Sequence, residues 1–293
     1  MTGVTQPLPG VAWYDLDDPS SPALDELAKQ FQLHELQIED CRNPQRAKTE
    51  EFEHYSFTVL KALQPGKTPK FFDFDIFLGK DFLITVHAGS CPAVDKALQR
   101  AQLHKTQRLD KVFYILLDHT VDEYLLLLDT LAEQMSDVES EVLEKPEPPV
   151  LRRIFSMKRY LIDFRRHAGG MREVVNQLMR REEGFLGDDL DPFLRDVYDH
   201  IVRTVDLIET YRDLLSSSTD IYLSAVANRT NQIMKVLTVW GTVALPLVVI
   251  TGFFGMNLPL PWQHNPWGAV YACLLMAGIG IVILWYFRKQ GWF

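Results

Sequence analysis

The sequence has few cysteines, no excess of positive charge and no leader-like start, and each shortage excludes a class of protein. Cys41, Cys91 and Cys273 make an odd set of 3 without a CxxC spacing. Neither a disulfide framework nor a cysteine-based zinc site is expected from them. Lys and Arg number 30 against 39 Asp and Glu, a net charge of −9. Phosphate binding needs the opposite balance, so nucleic acid is not an expected partner. Residues 1–10 show no cationic stretch leading into an apolar one, and no cleaved signal peptide is expected. Walker-type and GxSxG motifs are missing. The HExxH-like string that starts at His34-Glu35 carries Ile38 where the second histidine belongs, so an enzyme is not expected.

The most informative absence is local. No Asp, Glu, Lys or Arg occurs from 236 to 287, so every charged residue lies outside that stretch. Residues 236–254 and 268–287 each match the roughly 20 residues needed to cross a bilayer core. Arg229 and Lys235 precede the first segment, Arg288 and Lys289 follow the second, and the linker 255–267 has no Lys or Arg. The positive-inside rule then predicts a multi-pass protein with both termini in the cytoplasm, a short outer loop and a tail at 288–293. Trp262, Trp267, Trp285 and Tyr286 suit interfacial anchors.

The remainder reads as three patterns. Residues 1–118 mix aromatic and β-branched runs at 11–14, 55–60 and 71–77 with helix candidates at 21–31 and 36–41, which predicts an α/β domain. Gly79-Lys80-Asp81 before 82–86 marks a hairpin turn. Residues 119–190 predict a helical hairpin. Tyr124, Leu128, Leu131, Met135, Val138 and Val142 recur at spacings of four and three, and the prolines at 146, 148 and 149 break the helix before a second one starts near Val150. The first helix is acidic and the second basic, which fits mutually attractive solvated faces or an acidic surface that draws cations. At Asp191-Pro192 an N-cap with proline at the first helical position starts a third helix. Residues 193–240 contain neither Pro nor Gly, so this helix enters the charge-free zone without a break signal.

Two spans cannot enclose a water-filled path alone, so the chain is either anchored or assembles in several copies around an axis. Along the first span Asn231, Met234, Leu237, Gly241, Leu245, Val248 and Gly252 follow one another at spacings of three and four. The stripe mixes polar, small and modest apolar residues, while Trp240, Val243, Leu247 and Ile250 form a bulkier side. Small residues at this spacing also serve close helix packing.

At the outer end of that span stands Gly255-Met256-Asn257. In this position the tripeptide resembles the hallmark of the CorA family of divalent-cation transporters. The likeness extends through Phe193-Leu194-Arg195-Asp196-Val197-Tyr198-Asp199-His200, through Asp220-Ile221-Tyr222-Leu223-Ser224, and through the run from Asn228 to Thr238, with Pro246 in the span. It is dense over 190–293 and looser before, at Glu39-Asp40 and 51–60.

The resemblance implies an α+β protein with a membrane part: a cytoplasmic α/β domain, long helices forming a funnel, and two C-terminal transmembrane helices. It further implies a homopentamer in the plasma or inner membrane whose first spans line a pore and whose second spans lie outside. Gly255, Met256 and Asn257 would form the selectivity filter. Mg²⁺ holds six waters tightly, and a ring of Asn257 carbonyls could bind it through those waters. The transported ion would be Mg²⁺, with Co²⁺ and Ni²⁺ as further candidates. Asn231, Met234 and Leu237 match the inner gate region, and Leu245, Val248 and Gly252 the upper pore, with Leu237 and Leu245 as apolar constrictions. Val248 replaces the polar residue of well-known members, the outer loop lacks their acid, and the tail is less basic. Family members sense intracellular Mg²⁺ between subunits, which implies a regulatory Mg²⁺ at Asp196 with Asp95 of the N-terminal domain as its cross-subunit partner. A ZntB-like proton-coupled Zn²⁺ transporter and a non-conducting, membrane-anchored cation sensor are the alternatives.

Overall fold

Aromatic and β-branched residues dominate the strand-like runs of the N-terminal third. In the computed structural model, which describes residues 4–64, 66, 69–181, 184–256 and 267–292, they build a six-stranded sheet. The strands are β1 (Val4–Thr5), β2 (Trp13–Leu16), β3 (Lys48–Glu51), β4 (Tyr55–Gln64), β5 (Lys70–Gly79) and β6 (Leu83–His87), in the order β1-β2-β6-β5-β4-β3. Only β2 and β6 run parallel; the other neighbours are antiparallel. The turn at Gly79-Lys80-Asp81 joins β5 to β6, as its residues predict.

Side chains alternate across a sheet, and here both faces are buried. One face carries Leu16, Tyr55, Phe57, Val59, Phe77, Ile84 and Val86 into a core closed by Leu24, Leu27, Leu33 and Ile38. The other carries Trp13, Leu60, Ala62, Phe74, Ile76 and Leu83, each fully buried. Helices α1 (Pro22–Phe31) and α2 (Glu35–Arg42) supply the first cover. Ser21 caps α1 by accepting from the Ala23 amide at 3.3 Å, with Pro22 at the first position. Helix α3 (Pro92–Leu103) lies against β4.

One expectation shifts, and two further features stand beside it. Strand β2 starts at Trp13 rather than 11, because the Val11 amide is spent on the Leu8 carbonyl in a turn that needs Gly10 at φ +81°. The charged run Lys-Thr-Glu-Glu of β3 pairs with β4 as an edge strand, where polar side chains discourage further pairing. The boundary drawn at 118/119 falls inside helix α4, which runs Leu109–Glu144.

Helix α5 (Pro148–Met179) returns antiparallel to α4 and packs on β3 and β4. Tyr124 meets Phe164 edge-on at 5.2 Å, and Arg153 bonds Glu141 at 2.8 Å near the hairpin's other end. Acidic α4 and basic α5 thus do face each other. After a 3₁₀ turn at Asp188–Leu190 comes α6 (Asp191–Phe254), 64 residues long. Asp191 is already helical (φ −56°, ψ −42°) and its carboxylate takes a bond from Arg181 at 2.9 Å, so it is the first helical residue rather than the expected N-cap.

The chain divides into two compact units, Met1–Glu141 with Glu147–Thr219, and Val142–Pro146 with Asp220–Phe293. In the second, the apolar part of α6 is accompanied by α7 (Gly268–Lys289). Both helices are long and apolar enough to cross a membrane, with mean hydropathy 2.0 and 2.2 over their most apolar stretches. Thr238, Thr242 and Thr251 donate their hydroxyls to the carbonyls of Met234, Thr238 and Leu247, so these polar groups are satisfied within the helix. The least exposed residues of α6 here, Val239, Val243, Pro246, Leu247 and Ile250, share one face. Ala272, Met276, Ile279, Ile283 and Phe287 do the same on α7, the pattern of two helices lying face to face.

Candidate functional site

Every member of the stripe Asn231, Met234, Leu237, Gly241, Leu245, Val248 and Gly252 is exposed. Leu237, Leu245 and Val248 stand at 70%, 67% and 65% exposure, while Val239 falls to 7%. One face of α6 is therefore covered, and the other presents leucines and valines that water does not favour.

Helix α6 ends at Phe254, and the next two amides still bond backward, Gly255 N–H to the Thr251 carbonyl at 2.9 Å and Met256 N–H to Phe253 at 3.3 Å. Gly255 does not adopt a left-handed conformation. Its reason is proximity: a Cβ there would lie 3.1 Å from the Thr251 carbonyl oxygen. Met256 is 47% exposed. Asn257 lies outside the described residues, as do residues 258–266 with Trp262 and His264.

Asp196 is exposed on α6 and Asp95 is exposed in the first turn of α3. The pair is expected to meet between subunits, and among the described residues of one chain neither belongs to a converging set of ligands. Among the described residues the set that does converge is Asp118, Asp122 and His200, whose ligating atoms all lie within 4.8 Å of one another. Asp118 and Asp122 are one turn apart on α4, and His200 is one turn beyond Asp196 on α6. Sequence reasoning does not find this site. The i, i+4 pair Asp118/Asp122 is visible along the chain, but nothing in the sequence brings α4 against His200.

Its electrostatics are mixed. Arg100 Nη1 holds Asp118 Oδ2 at 2.6 Å, and His200 Nδ1 stands 3.5 Å from Asp122 Oδ1. Burial, then repulsion from Asp118, raises the Asp122 carboxyl above its ordinary value. Burial likewise raises the Tyr114 phenol, helped by Asp118 and by the more distant charge of Asp196. Burial lowers the neighbouring His119. A converging donor set of this kind, with the Asp122 carboxyl raised by burial and by its acidic neighbour, can accommodate a cation. Two carboxylates and an imidazole suit Co²⁺, Ni²⁺ or Zn²⁺ as inner-sphere ligands, and Mg²⁺ through retained waters.

An α/β domain whose last helix continues into one of two membrane-length apolar helices defines a membrane-embedded protein, and the comparisons with known proteins agree. Residues 9–289 match the family described as CorA-like Mg²⁺ transporter protein. The chain belongs to that family, which is one of transporters and not of enzymes. The cobalt/magnesium transport protein CorA of Thermotoga maritima is 34% identical over 271 residues, 89% of this chain and 77% of that protein. The complete structure of the CorA magnesium transporter from Methanocaldococcus jannaschii overlays with a TM-score of 0.85 at 24% identity, covering 96% of this chain and 91% of that one. The ZntB cytoplasmic domain from Vibrio parahaemolyticus gives 0.64 at 15% identity over 75% of this chain and 88% of that one, a likeness of fold alone.

Proposed function

We propose that this chain carries Mg²⁺, and secondarily Co²⁺, across the plasma or inner membrane as a homopentamer with both termini in the cytoplasm. Residues 236–254 and 268–287 cross the bilayer, 255–267 form the outer loop and 288–293 an inner tail. The first span lines the path through Asn231, Met234, Leu237, Gly241, Leu245, Val248 and Gly252, and Gly255, Met256 and Asn257 form the outer filter. The observation that carries this reading is the uncovered stripe on α6, which runs toward Gly255-Met256-Asn257 on the face away from the covered residues. An apolar face with 65–70% exposed leucines and valines is explained if copies of the same helix close around it.

Regulation follows from the cytoplasmic acids. Internal Mg²⁺ bound at Asp196, with Asp95 of the next subunit, holds the assembly closed, and the Asp118-Asp122-His200 group lies close enough along α6 to share that duty. Loss of the ion leaves carboxylates facing each other and shifts the population toward an open state.

Flux into liposomes tests the reading. Potential-driven Mg²⁺ uptake that Asn257→Ala renders unselective supports it. Uptake of Zn²⁺ driven only by a pH gradient would favour the ZntB-like alternative, for which the charge-free spans offer no proton carrier. No uptake of either ion would leave the anchored sensor.

A further inference from the structure

Helix α7 ends in a turn that folds the chain back on its last apolar side chain. Gly291 sits at φ +70°, in the left-handed region where a glycine avoids the side-chain clash. Its amide bonds back to the Arg288 carbonyl at 3.1 Å, and the Trp292 amide bonds back to Phe287 at 3.1 Å. These two reversed bonds are the Schellman motif, which commonly brings the residue after the glycine onto the last apolar side chain of the helix. Here that contact is Trp292 on Phe287, with ring centroids 4.9 Å apart. Phe287 is the buried residue of α7, at 7% exposure.

Trp292 lines one groove together with Asn228, Asn231, Gln232, Met234, Lys235 and Thr238 of α6. Asn231 and Met234 belong to the stripe assigned to the ion path, and Lys235 is the last charge before the apolar zone. One side chain thus touches the end of the second span and stands beside the inner end of the first. Its indole is large, stiff and amphipathic, suited to the membrane–water boundary.

We propose that Trp292 is a positioning residue for ion passage: seated by the Gly291 turn, it braces α6 at Asn228–Thr238 against α7 and so fixes the inner mouth of the path. The inference rests on the stripe lining that path. Without the indole, α6 is free to rotate about its axis at Met234 and Leu237, and the apolar inner mouth no longer stays dry.

The experiment uses the full-length protein in liposomes, with Mg²⁺ flux measured as a function of internal Mg²⁺ and thermal unfolding recorded alongside. Trp292→Ala is expected to raise the internal Mg²⁺ needed for half-closure several-fold. Trp292→Phe, which keeps a ring on Phe287 but is shorter toward α6, and Gly291→Ala, which strains the turn but leaves the indole, should both fall between. A parallel loss of thermal stability and flux, with an unmoved half-closure point, would show a merely structural role and overturn the proposal. So would wild-type behaviour in Trp292→Ala. If that variant does not assemble, Gly291→Ala decides the matter in its place: a raised half-closure point supports the brace, and an unmoved one overturns it. Failure of the underlying pore reading looks different, because wild-type protein would then pass no Mg²⁺ or Asn257→Ala would leave selectivity intact.

Discussion

Arg100 and Asp118 form an ion pair at 2.6 Å, and Asp118 is the same carboxylate that faces Asp122 and His200. The guanidinium and a bound cation would share the negative charge of this one carboxylate, so the two compete. Arg100→Gln should therefore lower the Co²⁺ concentration that half-protects the protein from proteolysis, by roughly three- to tenfold for about 1 kcal/mol of removed competition. The pair Asp118→Asn with Asp122→Asn should abolish that protection. If neither change moves the protection curve, the cluster holds no ion.

Asp75 predicts a pH dependence of stability. It is 1% exposed, and burial, then repulsion from Asp73, pushes its carboxyl up to about 8, with the Cys41 thiol bonded to it. The folded state therefore holds a proton that the unfolded chain releases near pH 4. This contribution is fully present below that value and is lost as pH rises toward 8, on the order of a few kcal/mol. Wild-type protein should melt several degrees lower at pH 8.5 than at pH 5, and Asp75→Asn should flatten the difference. Parallel melting curves for the two proteins would assign the effect elsewhere.

Tyr124 is fully buried and donates its hydroxyl to the Lys61 carbonyl, while its ring meets Phe71 and Phe164 edge-on. Tyr124→Phe keeps the rings and orphans the carbonyl, a cost of about 1–2 kcal/mol. Gly79→Ala is a contrasting case, because its new Cβ would overlap the Phe82 ring. Overpacking of this kind costs about 1–3 kcal/mol. Thermal melts of the full chain should rank both variants below wild type, and an unchanged Gly79→Ala would mean that Phe82 moves aside freely.

Leu237 and Leu245 are predicted to dry the path when it is closed. Replacing either with Ser should raise resting Mg²⁺ flux several-fold in liposomes with high internal Mg²⁺. Leu247→Ser, on the covered face of the same helix, should not. Equal effects at 237 and 247 would dissolve the distinction between the two faces.

Legibility differs between elements. Strands β4, β5 and β6 are readable because aromatic and β-branched runs end at a turn, Gly79-Lys80-Asp81. Strand β3 is not, because Lys48–Glu51 has the composition of a solvated loop and becomes a strand only through its pairing with β4. The same holds for the acids proposed to bind a regulatory ion. Asp196 stands out by its place in a family-like run, but Asp118 and Asp122 belong to a helix 70-odd residues earlier, and only packing joins them to His200.

The sequence alone determined that this is a membrane protein and which family it belongs to, because both rest on order along the chain. An uncharged stretch of bilayer length and a tripeptide at its end need no folding to be recognised. Tertiary structure decided what depends on distance: which face of α6 is covered, which carboxylates converge with His200, and where Trp292 rests. Side-chain chemistry is encoded one residue at a time, while ligand sets and braces require residues far apart in sequence to meet within a few ångströms.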